Sequence, residues 1–216
     1  MPMKTEKLRR EYSAHNGNLL EENASPDPFR QFEQWFAEAV DAKLDLPDAM
    51  TLATATKEGV PSARMVVLRG FDEKGFCFYT DYESQKGQEI AENPHAALVF
   101  YWRELDRQVR STGTVEKMRT EESEAYFASR PVSSQLAVWT ERQSLVIPGR
   151  EHLTENFQQA EQTYPSDDIP RPPHWGGYRL VPNLFEFWQG CPSRLHDRLC
   201  YTRQPDGSWE MTRLSP

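Results

Sequence analysis

The sequence lacks any apolar run as long as a membrane span, and its start, MPMKTEKLRREYS, lacks the apolar segment of a secretory signal. We therefore expect a cytoplasmic protein that does not bind membranes. Cysteine is also scarce, with Cys77, Cys191 and Cys200 the only three and no CxxC spacing among them. This pattern predicts neither a disulfide framework nor a zinc site, and we expect no bound metal.

Positive charge is in deficit. The 216 residues include 25 Lys and Arg against 33 Asp and Glu, which gives a net charge of −8. Because an acidic surface repels nucleic acid, we expect no nucleic-acid partner. Any phosphate must then be bound by a local concentration of arginines. There is no GxGxxG after a strand and no nucleoside-triphosphatase phosphate loop, so a dinucleotide-binding fold is not expected.

Short β-forming segments dominate what is present. We predict strands at Met50–Thr56, Ser62–Arg69, Phe76–Thr80, Ala96–Trp102, Gln108–Lys117, Gly177–Val181, Leu184–Gln189, Leu199–Arg203 and Trp209–Leu214. Helical patterns cover Pro28 to about Leu44, Ser84–Glu92, Glu121–Ser129 and Gly149–Tyr164, while Ser133–Trp139 fits a helix or a turn. The pattern predicts a mainly β fold of the α+β class, an antiparallel barrel with attached helices. Residues 1–28 are polar and predict a mobile N-terminal segment, followed by a single domain over 29–216.

The most unusual stretch is Trp175–Leu199, which reads WGGYRLVPNLFEFWQGCPSRLHDRL. Its apolar residues suit a buried hairpin, but Arg194, His196 and Arg198 do not. Because these three alternate, an extended backbone would place them on one face. Two guanidiniums and an imidazole on one face predict an anion-binding and proton-handling surface. The alternative is a solvated strand edge.

Three motifs in this stretch carry a family resemblance: WGGYR at 175–179, EFWQG at 186–190 and RLHDR at 194–198. Together they closely resemble the C-terminal signature of the pyridoxine/pyridoxamine 5′-phosphate oxidase family. The resemblance implies an FMN-binding split β-barrel of Greek-key type and a homodimer with its sites at the interface. It also implies oxidation of pyridoxine 5′-phosphate and pyridoxamine 5′-phosphate to pyridoxal 5′-phosphate, with O2 reduced to H2O2.

Two further clusters extend the resemblance to the flavin. Two basic residues bracket the apolar strand of Ser62–Arg69, and Ser84 begins a predicted helix whose unpaired N–H groups suit a phosphate. Taken alone, these features are equally typical of a surface arginine and an ordinary serine N-cap. The resemblance implies FMN contacts from Arg64, Met65, Val66, Val67, Leu68, Arg69, Tyr79, Thr80, Gln85, Lys86, Gln108, Gln143, Ser144, Trp188 and Arg198.

The last cluster is Tyr126–Gln135. Its tyrosine, arginine and serine match the residues that bind the substrate phosphate in the family. The catalytic pair implied by the resemblance is Arg194 and His196, which would orient the substrate ring. The N-terminal Arg-Arg-Glu-Tyr motif matches a segment that in the family folds over the substrate. The full set of implied substrate contacts is Arg9, Tyr12, Arg69, Tyr126, Arg130, Ser134, Arg194, Leu195 and His196.

The chain departs from the family pattern at two of these positions. Arg69 stands where a lysine is common, which keeps the charge, and Gln85 stands where an arginine is common, which loses one. If the family geometry holds, Gln85 lies beside the FMN phosphate. Two other functions stay open: a related split-barrel flavin oxidase of the phenazine-pathway type, or a non-catalytic protein that binds FMN or pyridoxal phosphate.

Overall fold

The structure is a computed structural model that describes Tyr12, residues 17–165 and residues 168–216. Its strands are β1 Ala49–Ala55, β2 Pro61–Val67, β3 Gly70–Asp72, β4 Gly75–Asp81, β5 His95–Trp102, β6 Arg107–Lys117, β7 Trp175–Gln189, β8 Asp197–Arg203 and β9 Trp209–Arg213. Its α-helices are α1 Pro28–Asp41, α2 Gln85–Glu92, α3 Thr120–Ala128, α4 Val132–Thr140 and α5 Arg150–Thr163. None of the described helices is long and apolar enough to cross a bilayer.

The strands form one sheet in the order β2-β1-β5-β6-β7-β4-β3, to which β8 is added by pairing with β7 and β9 by pairing with β8. The pairings of β4 with β3 and β7, and of β8 with β7 and β9, are all antiparallel. The chain divides into two compact units. The first unit comprises the described residues of Met1–Thr51 with Leu98–Thr112 and Pro182–Pro216, and the second comprises Leu52–Ala97 and Gly113–Val181.

The core of the first unit is aromatic and is organised by α1. Asp27 caps this helix by accepting a hydrogen bond of 2.8 Å from the Phe29 N–H, and Pro28 follows at the first helical position. Phe32 is fully buried against Phe100, with ring centroids 5.0 Å apart. Phe32 therefore anchors the predicted helix in the core of this unit. The helix ends before the predicted Leu44, because Lys43 has a φ of 55°.

The largest departure from the predicted strands is β7. The sequence predicts two strands, Gly177–Val181 and Leu184–Gln189, but one strand runs from Trp175 to Gln189. Residues 175–180 pair with β4, and residues 184–189 pair with β8. Pro182, which has no N–H to give to a ladder, lies between the two registers. The hairpin interpretation is wrong because this proline marks a change of partner strand instead of a turn.

The second unit contains a smaller core around α3, α4 and α5. Its buried members are Phe127, Leu136, Ala160, Ile169 and Trp175. The segment predicted as a helix or a turn at Ser133–Trp139 is helical, within α4. The predicted start of α2 is confirmed, since Ser84 Oγ accepts a hydrogen bond of 3.3 Å from the Gly87 N–H. Strand β3 was not predicted, because its three residues are too few for a periodic pattern.

We expect Gly177→Ala to lower the free energy of unfolding by about 1–3 kcal/mol, because overpacking a filled core forces neighbours to move. A Cβ at Gly177 would lie 2.6 Å from Met118 Sδ and 2.9 Å from Tyr79 Cε1. Urea unfolding gives the measurement. Gly70→Ala is the matched control, because nothing lies within 4 Å of a Cβ there. Equal stabilities of the two variants would contradict the close packing inferred at Gly177.

Candidate functional site

A cavity of about 500 Å³ lies within the second unit, lined by β2, β4, the start of α2 and the turn between α3 and α4. Four of its lining side chains are cationic, and no lining residue is a carboxylate. Such a set, in a chain of net charge −8, is the local concentration of positive charge that an anion requires. The cationic residues are Arg64, Arg69, Lys86 and Arg130.

The first group of cations in the cavity lining, the Lys86 end, consists of Lys86, in the first turn of α2, and its neighbour Arg64. Lys86 Nζ donates to Thr80 Oγ1 at 3.1 Å and to Gln143 Oε1 at 3.0 Å, so the ammonium is held against neutral acceptors. Burial lowers the pKa of Lys86, and the positive charge of Arg64 lowers it further. A bound anion would relieve both effects, and the α2 N-terminus adds a partial positive charge at the same place.

Arg64 on β2 is fixed by a network beside this end. Its Nη1 donates to Thr54 Oγ1 at 2.6 Å, and its Nη2 pairs with Glu89 Oε2 at 3.2 Å. Glu89 is buried on α2 and also accepts from Gln85 Nε2 at 2.9 Å. Burial alone would raise the pKa of Glu89. Hydrogen bonds from Ser62, Thr54 and Gln85, together with the charge of Arg64, outweigh burial and lower it to about 2.

The second group, the Arg130 end, consists of Arg130 and its neighbour Arg69. Arg130 Nη1 is buried and has no hydrogen-bond acceptor among the residues that the structure describes. The guanidinium carbon lies 4.7 Å from the ring centroid of Trp175. Burial lowers the pKa of Arg130, and nearby Tyr126 opposes this while Arg69 adds to it. A buried donor without an acceptor is costly, so this nitrogen is suited to an anionic ligand.

Between the two ends the wall is aromatic. The ring of Tyr126 stacks on that of Tyr79 with centroids 3.8 Å apart, and Tyr79 stacks on Trp175 with centroids 5.6 Å apart. Ser129 Oγ donates to the Tyr126 carbonyl oxygen at 2.7 Å, which fixes the turn that carries Arg130. The stack holds the cationic side chains on a rigid frame.

A second cluster of predicted residues lies in the first unit. The ring of His196 has its centroid 4.9 Å from that of Tyr12 and 4.8 Å from that of Trp188. His196 Nδ1 accepts a hydrogen bond of 3.1 Å from the Cys191 N–H, so the neutral ring carries its proton on Nε2. Burial lowers the pKa of His196, and the charge of Arg194 lowers it further. The ring is therefore a neutral Nε2–H donor at pH 7.

The backbone before His196 is not extended, so the predicted alternation of Arg194, His196 and Arg198 on one strand face is wrong. Residues Pro192–Arg194 form a 3-10 turn in which Ser193 and Arg194 have φ of 56° and 62°. Two consecutive left-handed residues of this kind cost about 1–3 kcal/mol each, and such strain concentrates at functional sites. The sequence pattern could not show this, because neither residue is a glycine.

Only Arg198 of the three lies in a strand, β8. Its Nε and Nη2 both lie 2.9 Å from Glu186 Oε1, and its Nη1 donates to the Ser215 carbonyl oxygen at 2.7 Å. Glu186 is buried and also pairs with Arg110. One buried carboxylate between two guanidiniums thus fixes the direction of Arg198.

Comparisons with known proteins agree over nearly the whole chain. The family model for pyridoxamine 5′-phosphate oxidase matches residues 36–164, and that for the pyridoxine 5′-phosphate oxidase C-terminal dimerisation region matches residues 175–216. The chain is 56% identical over 209 residues to the pyridoxine/pyridoxamine 5′-phosphate oxidase of Paraburkholderia phymatum, covering 97% of both chains. It is 54% identical, with the same coverage, to the protein of that name from Trichormus variabilis.

The chain belongs to the pyridoxamine 5′-phosphate oxidase family. Among solved structures it is similar to PhzG from Burkholderia lata in complex with tetrahydrophenazine-1-carboxylic acid, with a TM-score of 0.86, 32% identity, and coverage of 92% of this chain and 98% of that one. An FMN-binding relative from Nostoc punctiforme has a TM-score of 0.72 at 20% identity, with coverage of 89% and 100%. These matches confirm the predicted split-barrel fold.

The residues that the pyridoxamine 5′-phosphate oxidase family implied fall into both units. The cavity of the second unit is lined by Arg64, Met65, Val66, Val67, Arg69, Tyr79, Thr80, Lys86, Tyr126, Arg130, Ser134 and Gln143. Tyr12, Gln108, Trp188, Arg194, Leu195, His196 and Arg198 belong to the first unit, and Arg9 lies outside the described residues. Leu68 is buried, and Ser144 Oγ accepts from the Gln85 N–H at 3.2 Å.

Sequence reasoning did not identify Glu89 or Trp175 as parts of the site. The signal for Glu89 was its position four residues after Gln85 on one helix, where side chains meet. Ser144 and Gln143 also line a second concavity, of about 680 Å³, between α4 and α5. Its charged residues are of both signs, including Arg142 and Glu161, so the family's anionic ligands fit the smaller cavity better.

We expect His196 to titrate below the usual imidazole pKa of 6.5. Because the folded chain favours the neutral ring, the stability that this residue contributes is complete above pH 6.5 and declines as the pH falls below it. The titration of the His196 ring protons by NMR gives the measurement. Arg194→Gln is the informative comparison, since it should raise the pKa but leave it below 6.5, burial being the larger cause. A midpoint at or above 6.5 in the wild type would contradict the assignment of a neutral donor.

Proposed function

We propose that the chain is an FMN-dependent oxidase of pyridoxine 5′-phosphate and pyridoxamine 5′-phosphate. It would form pyridoxal 5′-phosphate and reduce O2 to H2O2. The observation that carries the proposal is the cavity of the second unit, whose lining contains two pairs of neighbouring cations and no carboxylate. A site that takes a phosphorylated flavin together with a phosphorylated substrate needs two anion positions, and Lys86 and Arg130 provide them.

The residues at the Lys86 end fit the FMN phosphate. Lys86 is half-buried beside the positive charge of Arg64, and it lies in the first turn of α2, close to the N-terminus of that helix. FMN, when bound, supplies the two-electron acceptor, which no side chain of the protein can replace. The chain contributes the binding of the phosphate, through Lys86, Arg64 and Thr80. The adenine-binding fingerprint of dinucleotide sites is missing, which favours FMN over FAD.

The residues at the Arg130 end fit the substrate phosphate. Arg130 Nη1 is buried and has no partner among the described residues, and Ser134 and Tyr126 line the same cavity with hydroxyl groups. Arg69 adds a second charge. A planar guanidinium with a free N–H is well suited to phosphate oxygens, so we assign the substrate phosphate to this end.

Arg194 and His196 are assigned to the substrate ring. The Cys191 N–H fixes the His196 tautomer, so Nε2 holds a proton that can be donated to an oxygen or nitrogen substituent of the ring. Arg194 offers a positive charge and several N–H donors. Both groups hold the substrate in one orientation, which is the protein's main contribution when a cofactor takes the electrons.

The match to a C-terminal dimerisation region supports a homodimer. We extend this to two equivalent sites at the subunit interface, as the family resemblance implies.

A second candidate is an oxidase of the phenazine type, favoured by the similarity to the PhzG structure. The ligand of that complex, tetrahydrophenazine-1-carboxylic acid, carries a carboxylic acid and no phosphate. A substrate without a phosphate would leave the buried Nη1 of Arg130 without its expected partner. Arg130 therefore favours a phosphorylated substrate.

The test is peroxide release by the FMN-loaded protein on addition of pyridoxine 5′-phosphate or pyridoxamine 5′-phosphate. We expect peroxide and pyridoxal 5′-phosphate in equal amounts, and none from unphosphorylated pyridoxine. Arg130→Gln should raise KM about ten- to a hundredfold, since a hydrogen bond to a charged group contributes about 1.5–3 kcal/mol.

Arg119→Gln is the matched control, because Arg119 is exposed and pairs with Glu122 at 3.0 Å. It should leave KM unchanged. Absence of peroxide from the FMN-loaded wild type with both substrates would overturn the proposed oxidase function. A normal KM in Arg130→Gln would remove Arg130 from the substrate site.

A further inference from the structure

Glu89, on the second turn of α2, is a carboxylate close to both Lys86 and Arg64. It does not line the cavity, and its side chain is only 7% exposed. A buried carboxylate close to a phosphate site repels the phosphate unless other groups compensate its charge. The groups bonded to Glu89 show how its charge is compensated.

Every hydrogen bond and ion pair of the Glu89 side chain with the described residues leads to β1, β2 or the start of its own helix. Its Oε2 accepts from Ser62 Oγ at 2.6 Å and from Thr54 Oγ1, and it pairs with Arg64 Nη2 at 3.2 Å. Its Oε1 accepts from Gln85 Nε2 at 2.9 Å. Both carboxylate oxygens are therefore satisfied, and Arg64 is the cation that compensates the charge.

Arg64 is held at more than one point as a result. Besides the bond to Glu89, its Nη2 donates to Ser62 Oγ at 2.5 Å, and its Nη1 donates to Thr54 Oγ1 and to the Leu52 carbonyl oxygen at 2.6 and 3.2 Å. Both terminal nitrogens are used, and within the described part of the chain no acceptor is bonded to Nε. The guanidinium plane is thus fixed before any ligand arrives, which lowers the entropy lost on binding.

We propose that Glu89, assisted by Gln85, is the positioning residue that orients Arg64 toward the flavin phosphate, and that Gln85 serves Glu89 instead of contacting the phosphate. This inference rests on the proposed function, because it takes FMN as the ligand. It also gives the departure at position 85 a physical meaning. The neutral amide of Gln85 donates a hydrogen bond to Glu89 without neutralising it. Arg64 therefore remains the cation that pairs with Glu89.

An arginine at position 85 would act differently. Four residues before Glu89 on α2, it would form an ion pair with that carboxylate and compete with Arg64 for it. The added charge at the helix start would favour phosphate binding. This gain would be offset because Arg64, without its ion pair to Glu89, would no longer be held in one orientation. We therefore expect Gln85→Arg to bind FMN no more tightly than the wild type.

The test compares FMN with riboflavin, which lacks the phosphate, by titration of apoprotein and quenching of flavin fluorescence. Glu89→Gln should weaken FMN binding about tenfold and change riboflavin binding by less than about twofold, since only the phosphate uses Arg64. Glu92→Gln, an exposed position on the same helix, is the matched control and should bind both ligands as the wild type does. Thermal unfolding of each variant checks its fold.

A double-mutant cycle shows whether Glu89 acts through Arg64. In the background of Arg64→Gln, the Glu89→Gln substitution should change the FMN-to-riboflavin affinity ratio by less than about twofold, because the group that it positions is already gone. The same tenfold loss in that background would overturn the inference.

Three other outcomes are also decisive. Unchanged or tighter FMN binding by Glu89→Gln would make Glu89 a bystander charge and overturn the inference. An equal loss of FMN and riboflavin affinity would reduce Glu89 to a residue that only stabilises the fold, and would overturn it too. Failure of the wild type to bind FMN at all would instead overturn the proposed function, so the two failures are distinguishable.

Discussion

Mutual repulsion between neighbouring cations, three of them half-buried, is the constraint on which the candidate site depends. Lys86 lies close enough to Arg64, and Arg130 close enough to Arg69, for each arginine to lower the pKa of its neighbour. Burial acts in the same direction in both cases. Although the protein has a net charge of −8, no carboxylate lines this cavity. The uncompensated cations lower the stability of the fold, and a bound anion would restore it.

The fold holds these charges in place with rigid elements. Strand β4 carries Tyr79 and Thr80 and is paired with β7 through Trp175–Leu180, so the aromatic wall and the acceptor of Lys86 share one frame. The Ser84 cap fixes the start of α2, which places Lys86 at the end of the cavity and Glu89 one turn further on. The site is preorganised by the Ser84 cap, by the pairing of β4 with β7 and by the ion pair between Arg64 and Glu89.

Local signals in the sequence predicted much of the fold. The Ser84 cap, the proline at the start of α1 and the alternating strands were each encoded within a few residues. The local sequence did not predict that β7 is a single strand. Whether Pro182 ends a strand or separates two registers depends on which strands lie beside it. The left-handed backbone of Ser193 and Arg194 was also out of reach, since it is imposed by its surroundings and not by residue type.

For the site, the family resemblance identified the cationic residues, whereas their chemical state required the structure. Glu89 meets Arg64 across 25 positions of sequence, and no local pattern records such a pair. The tautomer of His196 depends on the Cys191 N–H, a backbone group that no sequence motif contains.

The central claim is that the cavity of the second unit holds the FMN phosphate within a concentration of positive charge. The 31P NMR resonance of bound FMN, followed from about pH 8 to about pH 5, tests it most directly, because a free phosphate monoester loses its second proton near pH 6. We expect the bound resonance to stay at the dianion position throughout, since the cations favour the charged form. A resonance that titrates with a midpoint near 6 would show that the phosphate lies in solvent and would contradict the account.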